Sequence, residues 1–177
     1  MATWIVLLRA VNVGGRMLPM AELRKLLGSL GHSGVATYIQ SGNAILTTSR
    51  RDRQALADEI AEEIERLHGL PVSVIMRTPE ELQAVLAANP FSSVVETARV
   101  VITFLSRVPD PADAGRLEPE RFAPDRFELR GSEIYAHYPN GIGPSKLTLD
   151  YFEKRLRVRG TARNVNTVTK LIELAEG

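Results

Sequence analysis

Cysteine is absent from the 177 residues. Disulfides, thiolate nucleophiles and cysteine-ligated zinc are thereby excluded, and the composition suits a reducing compartment. Aromatic residues amount to only 6%, and the three histidines (His32, His68 and His137) are scattered. No pair of them has metal-ligand spacing, so neither a metal nor a cofactor is expected. Long apolar runs are missing too. The longest near the N-terminus is Trp4-Ile5-Val6-Leu7-Leu8, with no basic residue before it. A signal peptide needs a longer apolar core behind a cationic start, and a membrane helix needs roughly 20 residues. A cytoplasmic protein without membrane association is expected.

What remains is the composition of a chain that buries a core: 44% hydrophobic, 24% charged, net charge +1. The charge is unevenly placed. Pro144 to Lys170 holds seven Lys or Arg against two acids, a local +5 that leaves −4 for the rest. A basic C-terminal third can attract small anions or nucleic acid, or can simply be a solvated surface.

Thr3 to Val11 is nearly unbroken apolar and reads as a central strand buried on both faces. Pro19 opens a helix whose Met20, Leu23, Leu27 and Leu30 share a stripe, ended by Gly31. Val35 to Gln40 and Ala44 to Thr48 read as strands around Ser41-Gly42-Asn43. Asp52 caps the next helix, with Leu56, Ile60, Ile64 and Leu67 on one face, and Pro71 to Met76 is a further strand. The order β-α-β-β-α-β is that of a ferredoxin-like unit, a four-stranded antiparallel sheet with both helices on one face. Thr78-Pro79-Glu80-Glu81 starts a connector helix with Glu81 at the capping-box position. The second half repeats the order: a strand at Arg99 to Leu105, a weak helix at Pro111 to Leu117, and a hairpin at Phe127 to Leu129 and Glu133 to Tyr138. A helix at Lys146 to Leu156, a short strand near Val158 to Ala162 and a terminal helix complete it.

The fold class is therefore α+β, with two ferredoxin-like (βαββαβ) units in tandem. The first is expected at 1–77, a connector at 78–98, and the second with the C-terminal helix at 99–177. Oligomeric state is not legible.

In this topology the first and third strands are central, adjacent and antiparallel. Arg9 and Asn12 at the end of the first strand should meet Ser41 and Asn43 at the start of the third. The loop Val13-Gly14-Gly15-Arg16 leads from that edge to a helix N-terminus. Glycines let backbone approach a ligand, and a helix N-terminus favours an anion by roughly 0.3–1 kcal/mol. An arginine fork on the same anion completes a phosphate or carboxylate site. The same residues also fit a structural reading, in which Gly14 and Gly15 turn the chain and Ser41-Gly42-Asn43 is hairpin chemistry.

A second glycine-rich loop, Asn140-Gly141-Ile142-Gly143-Pro144-Ser145-Lys146, lacks the third glycine of a dinucleotide fingerprint and the spacing of a P-loop. It is either an anion cradle with Lys146 or a turn with Ser145 as an N-cap. In Arg163-Asn164-Val165-Asn166-Thr167, Arg163 offers a further phosphate contact. The neighbouring polar residues are adequate as helix caps. His32 and His68 read as exposed helix-end residues, whereas His137 can be buried. No acid–base pair stands out and Ser41 has no nucleophile-elbow context, so no catalytic residue is assigned and enzymatic activity stays open. Strand three has no aromatic, which removes the sheet-stacking signature of RNA-binding βαββαβ domains.

These segments together resemble a family. The carriers are Leu7-Leu8-Arg9-Ala10-Val11-Asn12-Val13-Gly14-Gly15, Pro19-Met20-Ala21-Glu22-Leu23 and Thr37-Tyr38-Ile39-Gln40-Ser41-Gly42-Asn43. Tyr138-Pro139-Asn140-Gly141-Ile142-Gly143, Ser145-Lys146-Leu147 and Thr161-Ala162-Arg163-Asn164-Val165-Asn166-Thr167-Val168 complete the match. The chain is similar to the bacterial family of unknown function numbered 1697. Ala10 departs from that family's usual glycine and narrows backbone access near Arg9. Val165 replaces a usual aromatic and removes a stacking role for the last helix. The resemblance implies a tandem ferredoxin-like fold, and it implies no activity and no catalytic residue. The expected function is binding of a small anionic or phosphorylated ligand by Arg9, Asn12, Gly14, Gly15, Ser41, Asn43 and Lys146. The alternative is a nucleic-acid-associated module using the basic stretch from Lys154 to Arg163.

Overall fold

The apolar run at the N-terminus is buried on both faces: Trp4, Ile5, Val6, Leu7 and Leu8 are each at most 5% exposed. Such a strand must satisfy its backbone within a sheet, because no water reaches it. It does so as β1 (Ala2–Arg9), paired antiparallel to β3 (Asn43–Thr48) on one side and β4 (Ser73–Arg77) on the other. The structure, a computed structural model, describes residues 1–9 and 17–177. The expectations for Asn12, Gly14 and Gly15 therefore lie outside the described residues. Two compact units emerge, Met1–Gln83 with Lys170–Gly177, and Ala84–Thr169.

In the first unit, β2 (Ser33–Thr37) completes a four-stranded antiparallel sheet of order β2-β3-β1-β4. Alternation along β1 sends Trp4, Val6 and Leu8 to one face, where Leu46 and Met76 join them. Helices α1 (Met20–Ser29) and α2 (Arg53–His68) close that face through Leu23, Leu27, Leu56 and Ile60, all fully buried. The signals read from sequence operate at the helix ends. Asp52 accepts from the Ala55 backbone N–H at 3.0 Å, and Gly69 ends α2 with a φ of 65°. Helix α3 (Pro79–Ala87) opens with a reciprocal capping box. Glu81 N–H donates to Thr78 Oγ1 at 3.1 Å, and Thr78 N–H donates to Glu81 Oε2 at 2.9 Å.

The second unit repeats the strand order. β5 (Val100–Leu105) lies between β7 (Glu133–His137) and β8 (Gly160–Asn164), with β6 (Arg126–Arg130) on the outside. All pairings are antiparallel. The first crossover is reduced to the single turn α4 (Pro111–Ala114) and a 3-10 turn at Pro119–Phe122. The second crossover is α5 (Leu149–Leu156), which buries Phe152 and Leu156 against Val101, Leu105 and Ile134. Helix α6 (Val165–Glu176) ends the chain, capped by Asn164 Oδ1 accepting from Thr167 N–H at 2.9 Å.

Several boundaries differ from expectation, among them β8 (Gly160–Asn164, not Val158 to Ala162) and the helix at Pro111–Ala114 (not to Leu117), and two of the differences have evident local reasons. Helix α5 begins at Leu149, not Lys146, because Thr148 is its cap and the Ser145 hydroxyl is used instead to bind Leu147 N–H at 3.0 Å. β2 ends at Thr37 because Ile39 takes a positive φ of 49°, which no strand accommodates. Leu46 has no exposed surface on the helix-facing side of β3. Leu46→Ala is expected to cost about 2–5 kcal/mol, read as a fall in the urea midpoint of the first unit.

Candidate functional site

Two places collect the polar residues singled out from sequence. The first is an edge of the first sheet. Leu7 lies opposite Asn43, and Leu8 N–H donates to Gly42 O at 2.9 Å. Arg9, two residues beyond Leu7, lies opposite Ser73 of β4. Period-two alternation therefore puts Arg9, Ser73 and Asn43 on one face, the face opposite α1 and α2. The pairing does bring the end of β1 to the start of β3, with Ser41 in the adjoining loop.

Two of these residues work for the loop itself. Asn43 has no exposed surface. Its Nδ2 donates to Tyr38 O at 3.1 Å and to Ser41 Oγ at 2.8 Å, while its carbonyl accepts from Tyr38 N–H at 3.1 Å. Gly42 sits at a φ of 81°, the left-handed region that glycine enters without strain. A buried amide tying both ends of a five-residue connection explains Ser41-Gly42-Asn43 without a ligand. Arg9 is half-buried and exposed enough to meet solvent at that edge.

The second place lies in the second unit. A cleft of about 790 Å3 is walled by the segment Arg121–Asp125, the loop around Asn140, Gly141 and Lys146, and the face of α5 carrying Tyr151, Lys154 and Arg155. The helical spacing of 151, 154 and 155 puts those three side chains together. Phe122 packs edge-on to Tyr151 at 4.6 Å between ring centroids, and the guanidinium groups of Arg155 and Arg121 lie over the Tyr151 ring at 5.2 and 5.9 Å. Both arginines share one carboxylate: Glu118 Oε2 is 2.9 Å from Arg121 and 3.0 Å from Arg155. The hydrogen bond from Arg121, with Arg155 beside it, holds the Glu118 carboxyl below its ordinary value. Lys154 pairs with Asp150 at 3.0 Å. Lys146 is exposed and has no hydrogen bond or ion pair among the described residues. Four cations and two carboxylates (Asp125 and Asp150) line the cleft, a net +2.

The glycine loop itself is a turn. Gly141 N–H donates to Tyr138 O at 3.0 Å with Gly141 at a φ of 83°, and Arg99 donates to Pro139 O. Beneath it, Tyr138 donates to Leu147 O at 3.1 Å, and burial, followed by the charge of Asp125, pushes its hydroxyl up to about 12. Sequence reasoning found Lys146 and this loop. It missed Arg121 and Asp125, because Pro119–Asp125 carries no motif, and it missed Tyr151. Arg155 it held only as part of the basic stretch from Lys154 to Arg163, although the spacing of Arg155 from Tyr151 on α5 was an available signal.

Arg163 does not line the cleft. It sits on β8 opposite Ile102, 8% exposed, and donates to Thr161 Oγ1 at 2.6 Å and Ala162 O at 2.9 Å. Burial pulls its guanidinium down to about 10. The histidines also differ from expectation. His68 is half-buried. His32 is 6% exposed, tucked behind α1, and neither ring nitrogen has a hydrogen-bond partner. Among the described residues no group of three or more His, Asp or Glu is placed to hold a metal. No helix there is long and apolar enough to cross a membrane.

Residues 1–135 match the family described as protein of unknown function (DUF1697), and the chain belongs to that family. The fold is similar to that of the conserved bacterial protein SP0830 from Streptococcus pneumoniae. The two share 23% identity over 98% of each chain, with a TM-score of 0.69. No curated protein matches the chain.

Two outcomes test this account of the residues. Asn43→Ala leaves the Tyr38 carbonyl and the loop without their buried amide donor, and is expected to cost about 1–3 kcal/mol in chemical denaturation. Burial lowers the His32 pKa below 6.5, opposed by Glu59 and aided by Arg50. The unfolded chain then binds this proton more readily than the fold, so stability is complete above about pH 6.5 and falls as the pH drops through the folded value. His32→Leu should flatten that acid limb of the melting temperature against pH; an unchanged limb would assign it to other groups.

Proposed function

We propose that the protein binds a small anionic, phosphorylated ligand, and that the seat is the cleft of the second unit with Lys146 as its free cation. The observation that carries this reading is the lining: an excess of cations around a volume that matches ligand pockets, roughly 300–1,000 Å3. Arg121 and Arg155 add charge that Glu118 only partly offsets, and Lys146 has no partner among the described residues to release before it meets an anion. Arg9, at the edge of the first sheet, is proposed as an anion contact of the first unit, separate from that cleft, on the strength of sequence and strand register. With it go Asn12, Gly14 and Gly15, on sequence alone. Ser41 and Asn43 serve by holding that edge in shape. Arg163 is proposed to act in the same service on β8, since one guanidinium nitrogen donates to both Thr161 and Ala162.

The architecture is read as two tandem ferredoxin-like units at 1–77 and 99–177, joined through 78–98. The shared strand order, β2-β3-β1-β4 and β6-β7-β5-β8, supports it. A cytoplasmic location rests on the cysteine-free composition. No specific observation favours the nucleic-acid alternative. Within Lys154 to Arg163, Lys154 pairs with Asp150, Arg155 with Glu118 and Arg157 with Asp113, while Arg163 is buried. That leaves Arg159 as the exposed cation without a side-chain partner among the described residues.

Calorimetric titration of inorganic phosphate into wild type and Lys146→Ala tests the reading. Loss of a charge-assisted contact should weaken binding on the order of 10-fold. No binding to wild type, or equal binding to both proteins, would remove its support.

A further inference from the structure

Two groups in the cleft have the wrong sign for an anion site, and of these Asp150 is paired with Lys154. Asp125 lines the cleft, is only 8% exposed, and makes no ion pair with any described lysine or arginine. Its Oδ2 accepts from Ser145 Oγ at 2.6 Å. Ser145 is fixed in that role, because its oxygen in turn accepts from Leu147 N–H at 3.0 Å. Oδ1 has no donor among the described residues. An ionised carboxylate is acceptor-only and offers about four lone-pair sites. Oδ1 is not among the described side-chain atoms sealed from solvent without a partner, so it is open to the cleft and can accept an O–H or N–H from a ligand in place of water. The phosphoryl group of a fully ionised phosphomonoester has no O–H to supply, and its oxygens beside Asp125 are repelled by the carboxylate.

We infer that Asp125 accepts a hydroxyl of the ligand, so that the cleft takes a phosphorylated polyol, its phosphate toward Lys146 and a hydroxyl on Asp125 Oδ1. The inference rests on the anion-binding reading above. A cleft of about 790 Å3 has room for such a two-part ligand, where a lone phosphate would fill a small fraction of it. The ring of Tyr151 is already engaged by Arg121, Arg155 and Phe122, so the wall offers packing for a sugar or glycerol skeleton and not a platform for a base. A sugar phosphate and the ribose-phosphate end of a nucleotide share the required chemistry.

The test compares ligands that differ only in hydroxyl groups. Glycerol 3-phosphate, n-propyl phosphate, ribose 5-phosphate, AMP and inorganic phosphate are titrated into wild type, Asp125→Asn and Ser145→Ala. Wild type should bind the hydroxylated phosphates on the order of 10-fold more tightly than n-propyl phosphate. Asp125→Asn should erase that difference while leaving inorganic phosphate as tight or tighter, since a negative charge has gone. Ser145→Ala, which keeps the carboxylate, should retain the preference. AMP binding like ribose 5-phosphate assigns the site to sugar phosphates, and tighter AMP binding assigns it to nucleotides; both support the inference. Equal binding of n-propyl and glycerol phosphates to wild type overturns it while the anion reading stands, and needs no variant to fold. Uniform weakening of every ligand in Asp125→Asn overturns it as well, making Asp125 a loop tether. If no phosphate binds wild type, both readings fall.

Discussion

Each unit is organised by a central strand whose middle is buried on both faces. β1 is hydrogen-bonded by β3 and β4, and β5 by β7 and β8. Apart from Thr3, Arg9 and Thr103 their side chains are apolar, so the backbone groups must find their partners laterally. That requirement fixes neighbours and register, and register decides which loops share an edge. Leu7 opposite Asn43 brings Arg9 beside the Tyr38–Asn43 connection. Val100 opposite His137, and His137 opposite Arg126, bring the loop after β7 and the segment before β6 to one end of the second sheet. The cleft opens there because two connections that lie apart in sequence are anchored to adjacent strand ends.

The two candidate sites are consequently not counterparts. In the first unit the polar cluster gathers where the central strand ends. In the second the cleft forms where the central strand begins. A shared strand order has been used at opposite ends of the sheet, and the crossover explains the difference. Where the first unit spends its first crossover on the ten-residue α1, the second has one turn of helix and the Pro119–Phe122 turn. The long irregular path leaves Arg121 and Asp125 against α5 instead of continuing the helix-packed layer.

Periodicity made most of this legible. The apolar run of β1, the stripes of α1 and α2, and the caps at Asp52 and Thr78 are local signals, and local physics put the elements where they stand. The misreadings arose where side chains act on backbone. Ser145 looked like a cap but binds Leu147 N–H and Asp125, which delays α5 by three residues. Asn43 looked like a ligand group but spends its amide on its own loop. His32, placed next to a glycine, looked exposed, yet the turn after α1 folds it inward. Asp125 was invisible because a buried acid in an irregular loop has no pattern, only neighbours supplied by the fold.

The single tryptophan has a consequence of its own. Trp4 is 5% exposed in the helix-backed core of the first unit, its indole N–H donating to Arg50 O at 3.3 Å and the Arg53 guanidinium 5.3 Å over its ring. Indole emission from this chain is therefore a spectroscopic reporter for that core alone. Three of the four tyrosines, Tyr135, Tyr138 and Tyr151, lie in the other unit and Tyr38 lies in the first, so selective excitation of the indole follows the melting of the first half without a contribution from the second.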